Sequence, residues 1–156
     1  MRKTKSDAAA IEDQPGYNIR RLQQIAVAIF LEETQSLGIT PVQFAALQAA
    51  QRQPGLDQRR LAATIGFDTS TIGGVIDRLE RRALIERQAS PTDRRVRLLR
   101  VTAAGCALLD AVVPAMLRAQ QRILAPLQAA DRPRFVAMLK TIVEANNLLS
   151  RAPSER

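Results

Sequence analysis

Asp93, Arg94 and Arg95 stand together in the stretch ASPTDRRVRLLRVTAAG, after Pro91 and between short runs in which apolar and basic residues nearly alternate. Guanidinium groups at a loop tip suit phosphate, or the negative potential of a DNA minor groove. A carboxylate two residues before Arg95 is near enough to pair with its guanidinium and limit its rotamers. On the residues alone, the alternative is an exposed hairpin with an internal ion pair worth well under about 1 kcal/mol. Residue types that carry covalent chemistry are scarce. With no His and one Cys, the chain cannot assemble a Ser-His-Asp or Cys-His triad, and it has no ligand set for structural zinc or an iron-sulfur cluster. Its carboxylates lie among basic residues on periodic segments, with no pair placed for acid-base work. The reading is therefore of a protein that binds rather than catalyses, with no cofactor and no metal.

The chain's overall charge agrees. Lys and Arg number 23 against 15 Asp and Glu, a net charge of +8 over 156 residues of which 46% are apolar. That is length and composition for one domain with a sizeable core, and an excess that favours a polyanion. The excess is uneven: residues 52–100 carry eleven basic and six acidic side chains, while residues 1–51 carry five of each and residues 101–156 seven and four. No apolar run approaches the roughly 20 residues needed to span a bilayer, and the first residues lack the apolar core of a signal peptide, so a cytoplasmic protein without membrane contact is expected.

The elements that must position the loop follow from periodicity. Leu22, Ile25, Ala26, Ile29 and Phe30 recur at spacings of three and four, predicting a helix from Tyr17 to about Ser36. A second is predicted from Pro41 to about Arg52. Asp57 can cap a short helix that Gly66 ends, and Asp68 a longer one carrying Ile72, Val75, Ile76 and Leu79 to about Arg82. ALIERQA and RVRLLRV then read as a two-stranded hairpin around a loop of residues 90–94. A long stripe follows at Leu109, Val112, Met116, Ile123 and Leu127, with a kink expected at Pro114, and a last helix carries Phe135, Met138, Leu139, Ile142 and Leu149. Residues 1–14 and 151–156 read as mobile tails.

The fold class expected is thus mainly α with a small β-hairpin. A helix-turn-helix places its second helix in the major groove of double-stranded DNA, flanking cations bind phosphates, and a neighbouring hairpin can reach the next minor groove. Base contacts are expected from Thr69, Ser70, Thr71, Asp77 and Arg78; Arg59 and the loop residues Ser90, Asp93, Arg94 and Arg95 complete the candidate DNA-binding set. Gly73 and Gly74 interrupt the middle of that helix. Each costs it roughly 1 kcal/mol relative to Ala, and either backbone must approach DNA or a neighbouring helix there, or the glycines are simply tolerated.

Asp77-Arg78-Leu79-Glu80, then Asp93-Arg94-Arg95, then Thr102-Ala103-Ala104-Gly105, in that order and spacing, resemble the MarR family of winged-helix repressors; the resemblance covers about residues 17–149. It implies a winged helix-turn-helix unit over residues 37–101, a helical dimerisation region over 15–36 and 102–150, and a homodimer on a pseudo-palindromic operator. The segment PGYNIRRLQQIAVAIFLEE is similar to the branch of the family that controls breakdown of aromatic acids, including nicotinate. By that likeness a small aromatic carboxylate, of the hydroxynicotinate or benzoate type, is expected as effector beside Tyr17, Asn18, Arg20, Arg21 and Phe44, with Arg20 or Arg21 pairing its carboxylate. Cys106, lying just after Gly105, is expected to be a buried or inert thiol rather than an oxidant sensor. The resulting function is a ligand-responsive transcriptional repressor; a constitutive architectural DNA-binding protein is the alternative.

Overall fold

A computed structural model describes residues 10–150 and 153, so most of both expected tails lies outside the described residues. Six α-helices and one antiparallel hairpin follow in the order α1 (Pro15–Glu33), α2 (Pro41–Arg52), α3 (Gln58–Ile65), α4 (Thr69–Arg81), β1 (Ile85–Ala89), β2 (Arg97–Val101), α5 (Ala103–Leu124) and α6 (Asp131–Ala145). Local chemistry accounts for most boundaries. Thr40 and Gln43 form a capping box at α2, with Pro41 in its first turn. Asp57 accepts from the Arg60 amide at 2.8 Å to start α3, and Gly66 ends it at φ +68°, a left-handed conformation that glycine adopts without a Cβ clash.

Three differences from the sequence expectation have local causes. α1 stops at Glu33, because the buried Thr34 hydroxyl donates to Phe30 O and Ile39 O and the chain turns through a 3-10 segment to Gly38. The hairpin loop runs over residues 90–96 rather than 90–94. The Ser90 amide donates to Val96 O, and the Val96 amide to Asp93 O, which folds the loop back on itself and keeps Arg95 and Val96 out of β2. α5 holds Pro114 at an exposed position inside it and ends before Leu127, so the buried stripe is Leu109, Val112, Ala115 and Ala119.

The core gathers Leu47 of α2, Leu61 of α3, Ile72, Ile76 and Leu79 of α4, Ile85 and Leu99 of the hairpin and Val112 of α5. The hairpin pairs Ile85 with Val101 through Ala89 with Arg97. It gains a third, one-residue rung where the Leu99 amide donates to Leu56 O at 2.8 Å. At its far end Thr102 caps α5, and Gly105 lets that helix start against the hairpin: a Cβ there would stand 2.2 Å from Leu84 O. α1 lies along α5, tied by Glu33 to Arg118 and Arg122 and by Glu32 to Arg122. The Arg118 guanidinium, then that of Arg122, holds the Glu33 carboxyl below the usual carboxylate range. α6 buries no side chain, and leaves Met138, Ile142 and Val143 exposed.

Candidate DNA-binding face and ligand crevice

α4 turns Ile72, Val75, Ile76 and Leu79 into the core, so its 3.6-residue period aims Ser70, Gly74, Asp77 and Arg81 outward, with Thr71 and Arg78 alongside. Its first turn is organised by Asp68. One carboxylate oxygen accepts from Ser70 Oγ at 2.5 Å and the Thr71 amide at 2.8 Å, and the other from Thr71 Oγ1 at 2.9 Å. The Ser70 hydroxyl, then the Thr71 amide and hydroxyl, pull the Asp68 carboxyl down from 3.8 to about 2. Both hydroxyl protons are used in this cluster, so Ser70 and Thr71 face outward with oxygen lone pairs.

The two glycines separate in meaning. A Cβ at Gly73 would stand 3.0 Å from Gln58 Nε2, so there the close approach is to the side chain that opens α3, which also donates to Thr69 O. At Gly74, among the described residues, a Cβ would meet only Arg78 Nη1, at 3.5 Å, and none of their packing requires the glycine.

Arg94 and Arg95 are exposed at the wing tip, with Asp93 between them and Ser90. One expectation is corrected here. Asp93 does not grip the Arg95 guanidinium: its carboxylate accepts from the Arg95 backbone amide at 2.9 Å, since a tight turn presents that amide to it before the side chain can fold back. Ser90, a candidate DNA contact, is buried at 7% exposure, and its Oγ accepts from the Thr92 and Asp93 amides, which shapes the loop. Asp77, expected to read a base, is ion-paired with Arg87 of β1 at 2.5 Å. Arg59 and Arg60 of α3 are exposed and line a polar depression of about 310 Å³ with Asp57 and Ala63.

Between α1 and α6 lies an open apolar crevice of about 640 Å³. Tyr17, Asn18 and Arg21 line it, with Phe135, Leu139 and Ile142 of α6 opposite. Arg20 does not line it; its guanidinium lies over the Tyr17 ring, 5.6 Å from the centroid. Asn18 spends its amide on Glu12 O and Gln14 O. Phe44 is not part of the crevice: it is buried in the core against Phe30, with ring centroids 5.9 Å apart, because α2 faces inward there. Sequence reasoning missed Arg87, Gln58 and the α6 wall. The one available signal for Arg87 was an arginine on a half-buried strand following carboxylates at positions 77 and 80, one helical turn apart.

Among the described residues no group of three acidic, His or Cys side chains could hold a metal ion, and no helix is long and apolar enough to cross a membrane. Cys106 is half-buried.

Residues 37–96, which span α2 to the wing, match the model of a family described as the MarR family. Over 128 residues the chain is 36% identical to a putative transcriptional regulatory protein for the hcr operon of Thauera aromatica, covering 81% of this chain and 77% of that one. The chain belongs to the MarR family. Its winged-helix architecture is the family's, and it is a DNA-binding transcription regulator. The HTH-type transcriptional repressor NicR of Pseudomonas putida is 28% identical over 87% of this chain and 86% of its own. A solved structure of BpsR from Bordetella bronchiseptica, whose DNA binding is regulated by 6-hydroxynicotinic acid, superposes with a TM-score of 0.80 at 31% identity, over 85% of this chain and 95% of that one.

Proposed function

We propose that this protein is a transcriptional repressor that occupies a pseudo-palindromic operator as a homodimer and is released by a small aromatic carboxylate of the hydroxynicotinate type. In this reading residues 37–101 are the DNA-binding unit, and residues 15–36 with 102–150 form the dimerisation region. The observation that carries it is the surface outside the winged unit: Ile19, Ile25, Met138 and Ile142 are exposed around a crevice lined by Tyr17, Asn18 and Arg21. Apolar helix faces of this extent call for a second subunit, and an apolar slot with one guanidinium suits a flat ring bearing a carboxylate. The relatives NicR and BpsR support the choice of acid.

At the DNA, α4 enters the major groove and presents Thr69, Ser70, Thr71 and Arg78. Arg59 beside the α3 N-terminus meets phosphate, and Arg94 with Arg95 reach the minor groove, Asp93 bracing the loop. Effector release requires the acid to bind the DNA-incompetent arrangement more tightly than the DNA-competent one. The test is an anisotropy titration of a duplex selected from random sequence by the protein, with and without 6-hydroxynicotinate or benzoate. The acid is expected to lower duplex affinity in wild type, and Arg21→Ala to keep DNA binding while losing that response. If no such acid binds by calorimetry, and affinity is unchanged, the constitutive architectural reading replaces this one.

A further inference from the structure

Asp77 and Glu80 lie about one turn apart on α4, and Asp77 shares the outward line of the helix with Ser70, Gly74 and Arg81. A helix that meets phosphates is thus carrying two carboxylates at its outer corner, where each would be repelled. Arg87 of β1 answers both. Its Nη2 donates to Asp77 Oδ1 at 2.5 Å, its Nη1 donates to Glu80 Oε2, and its backbone amide donates to Glu80 Oε1 at 3.3 Å. The Arg87 side chain is 23% exposed, against 58% for Asp77 and 40% for Glu80, so the guanidinium lies beneath the carboxylates rather than out toward a ligand. The basic residues of α4 itself are occupied differently: Arg81 Nε donates to Asp77 O at 3.3 Å, and Arg78 lies beside Gly74. Among the described residues, Arg87 is the cation paired with these two acids.

We propose that Arg87 is a positioning residue for operator binding, one that cancels the carboxylates of the recognition helix without touching DNA. This rests on the reading in which α4 enters the major groove. Without Arg87 the corner would carry two uncompensated negative charges facing a polyanion. Arginine suits the task because one planar guanidinium can serve two carboxylates at once, which a lysine ammonium does less well.

The experiment titrates the selected duplex with wild type, Arg87→Gln, the double variant Asp77→Asn with Glu80→Gln, and the triple variant combining all three, with thermal unfolding recorded for each. Arg87→Gln is expected to weaken binding by roughly tenfold or more. The triple variant is expected to recover most of that loss, since it removes the charges that Arg87 cancels. The double variant, which keeps Arg87, is expected to bind at least as tightly as wild type. A triple variant as weak as Arg87→Gln would overturn the proposal, by showing that Arg87 meets DNA itself or acts only as a mechanical link. Unchanged binding by Arg87→Gln would overturn it too. Should Arg87→Gln fail to fold, the double variant decides: weakened binding would mean that a carboxylate reads the DNA. Wild type failing to select any duplex would instead bring down the functional reading on which the proposal rests.

Discussion

At the scale of single residues, the exposed wing arginines and Gly105 carry opposite kinds of constraint. Arg95 has its amide held by Asp93 and its side chain exposed, an arrangement that fixes the backbone from which the guanidinium projects. Arg95→Ala is expected to cost about 1 to 3 kcal/mol of operator affinity, and more than Arg134→Ala, a removal of equal charge from exposed α6. Mobility-shift titrations of the two variants check this; equal, small losses would remove the wing from the interface. Asp93→Ala should show a milder form of the Arg95 defect, through a looser loop. Gly105 is constrained by packing: a methyl would stand 2.2 Å from the Leu84 carbonyl, and backbone cannot step aside cheaply. Gly105→Ala is therefore expected to destabilise the fold by about 1 to 3 kcal/mol, read from denaturant unfolding. Gly74→Ala, where the nearest atom is a flexible arginine tip at 3.5 Å, should stabilise α4 by up to about 1 kcal/mol. The sequence showed the same residue type at each place and could not say which neighbour came near.

At the scale of elements, Asp68 governs how α4 begins. Its carboxyl titrates near 2 in the fold, below its usual 3.8, because hydrogen bonds from Ser70 and Thr71 favour the charged form. A depressed folded pKa contributes stability that is fully present above the unfolded value and is lost as pH falls through the folded one. The contribution is accordingly expected to fade between about pH 4 and pH 2, and Asp68→Asn should flatten that part of the stability profile measured by thermal unfolding. The same variant should alter base preference at the operator positions facing Ser70 and Thr71, since the carboxylate fixes where their hydroxyl protons point. The caps at Asp57 and Asp68 were legible in the sequence, because a capping side chain acts within three residues of itself. The end of α1 was not, since Thr34 turns the chain only by bonding to Ile39 O across a corner closed by tertiary packing.

At the scale of the whole molecule, α6 has no fully buried residue, and the crevice it forms with α1 is walled by the half-buried Leu139 and Phe135. Leu139→Glu is expected to yield monomer or aggregate and to abolish operator binding with it, because one winged unit makes too few phosphate contacts. Size-exclusion chromatography with light scattering beside a binding titration tests both at once; a Leu139→Glu dimer that binds normally would show the stripe to be misassigned. What the sequence by itself determined is local or periodic: six helices, the hairpin, the MarR motifs and the concentration of positive charge over residues 52–100. These follow from interactions a few residues long, or from the 3.6-residue period that sorts apolar from polar faces. Tertiary structure alone decided which long-range partner each polar group takes. It sent Phe44 to Phe30 instead of the crevice, put Arg21 rather than Arg20 at the crevice wall, buried Ser90, and laid Arg87 across Asp77 and Glu80. Periodicity says that a side chain faces inward or outward; its neighbour there comes from another part of the chain, and only the packing of helix on helix and strand on helix brings the two together.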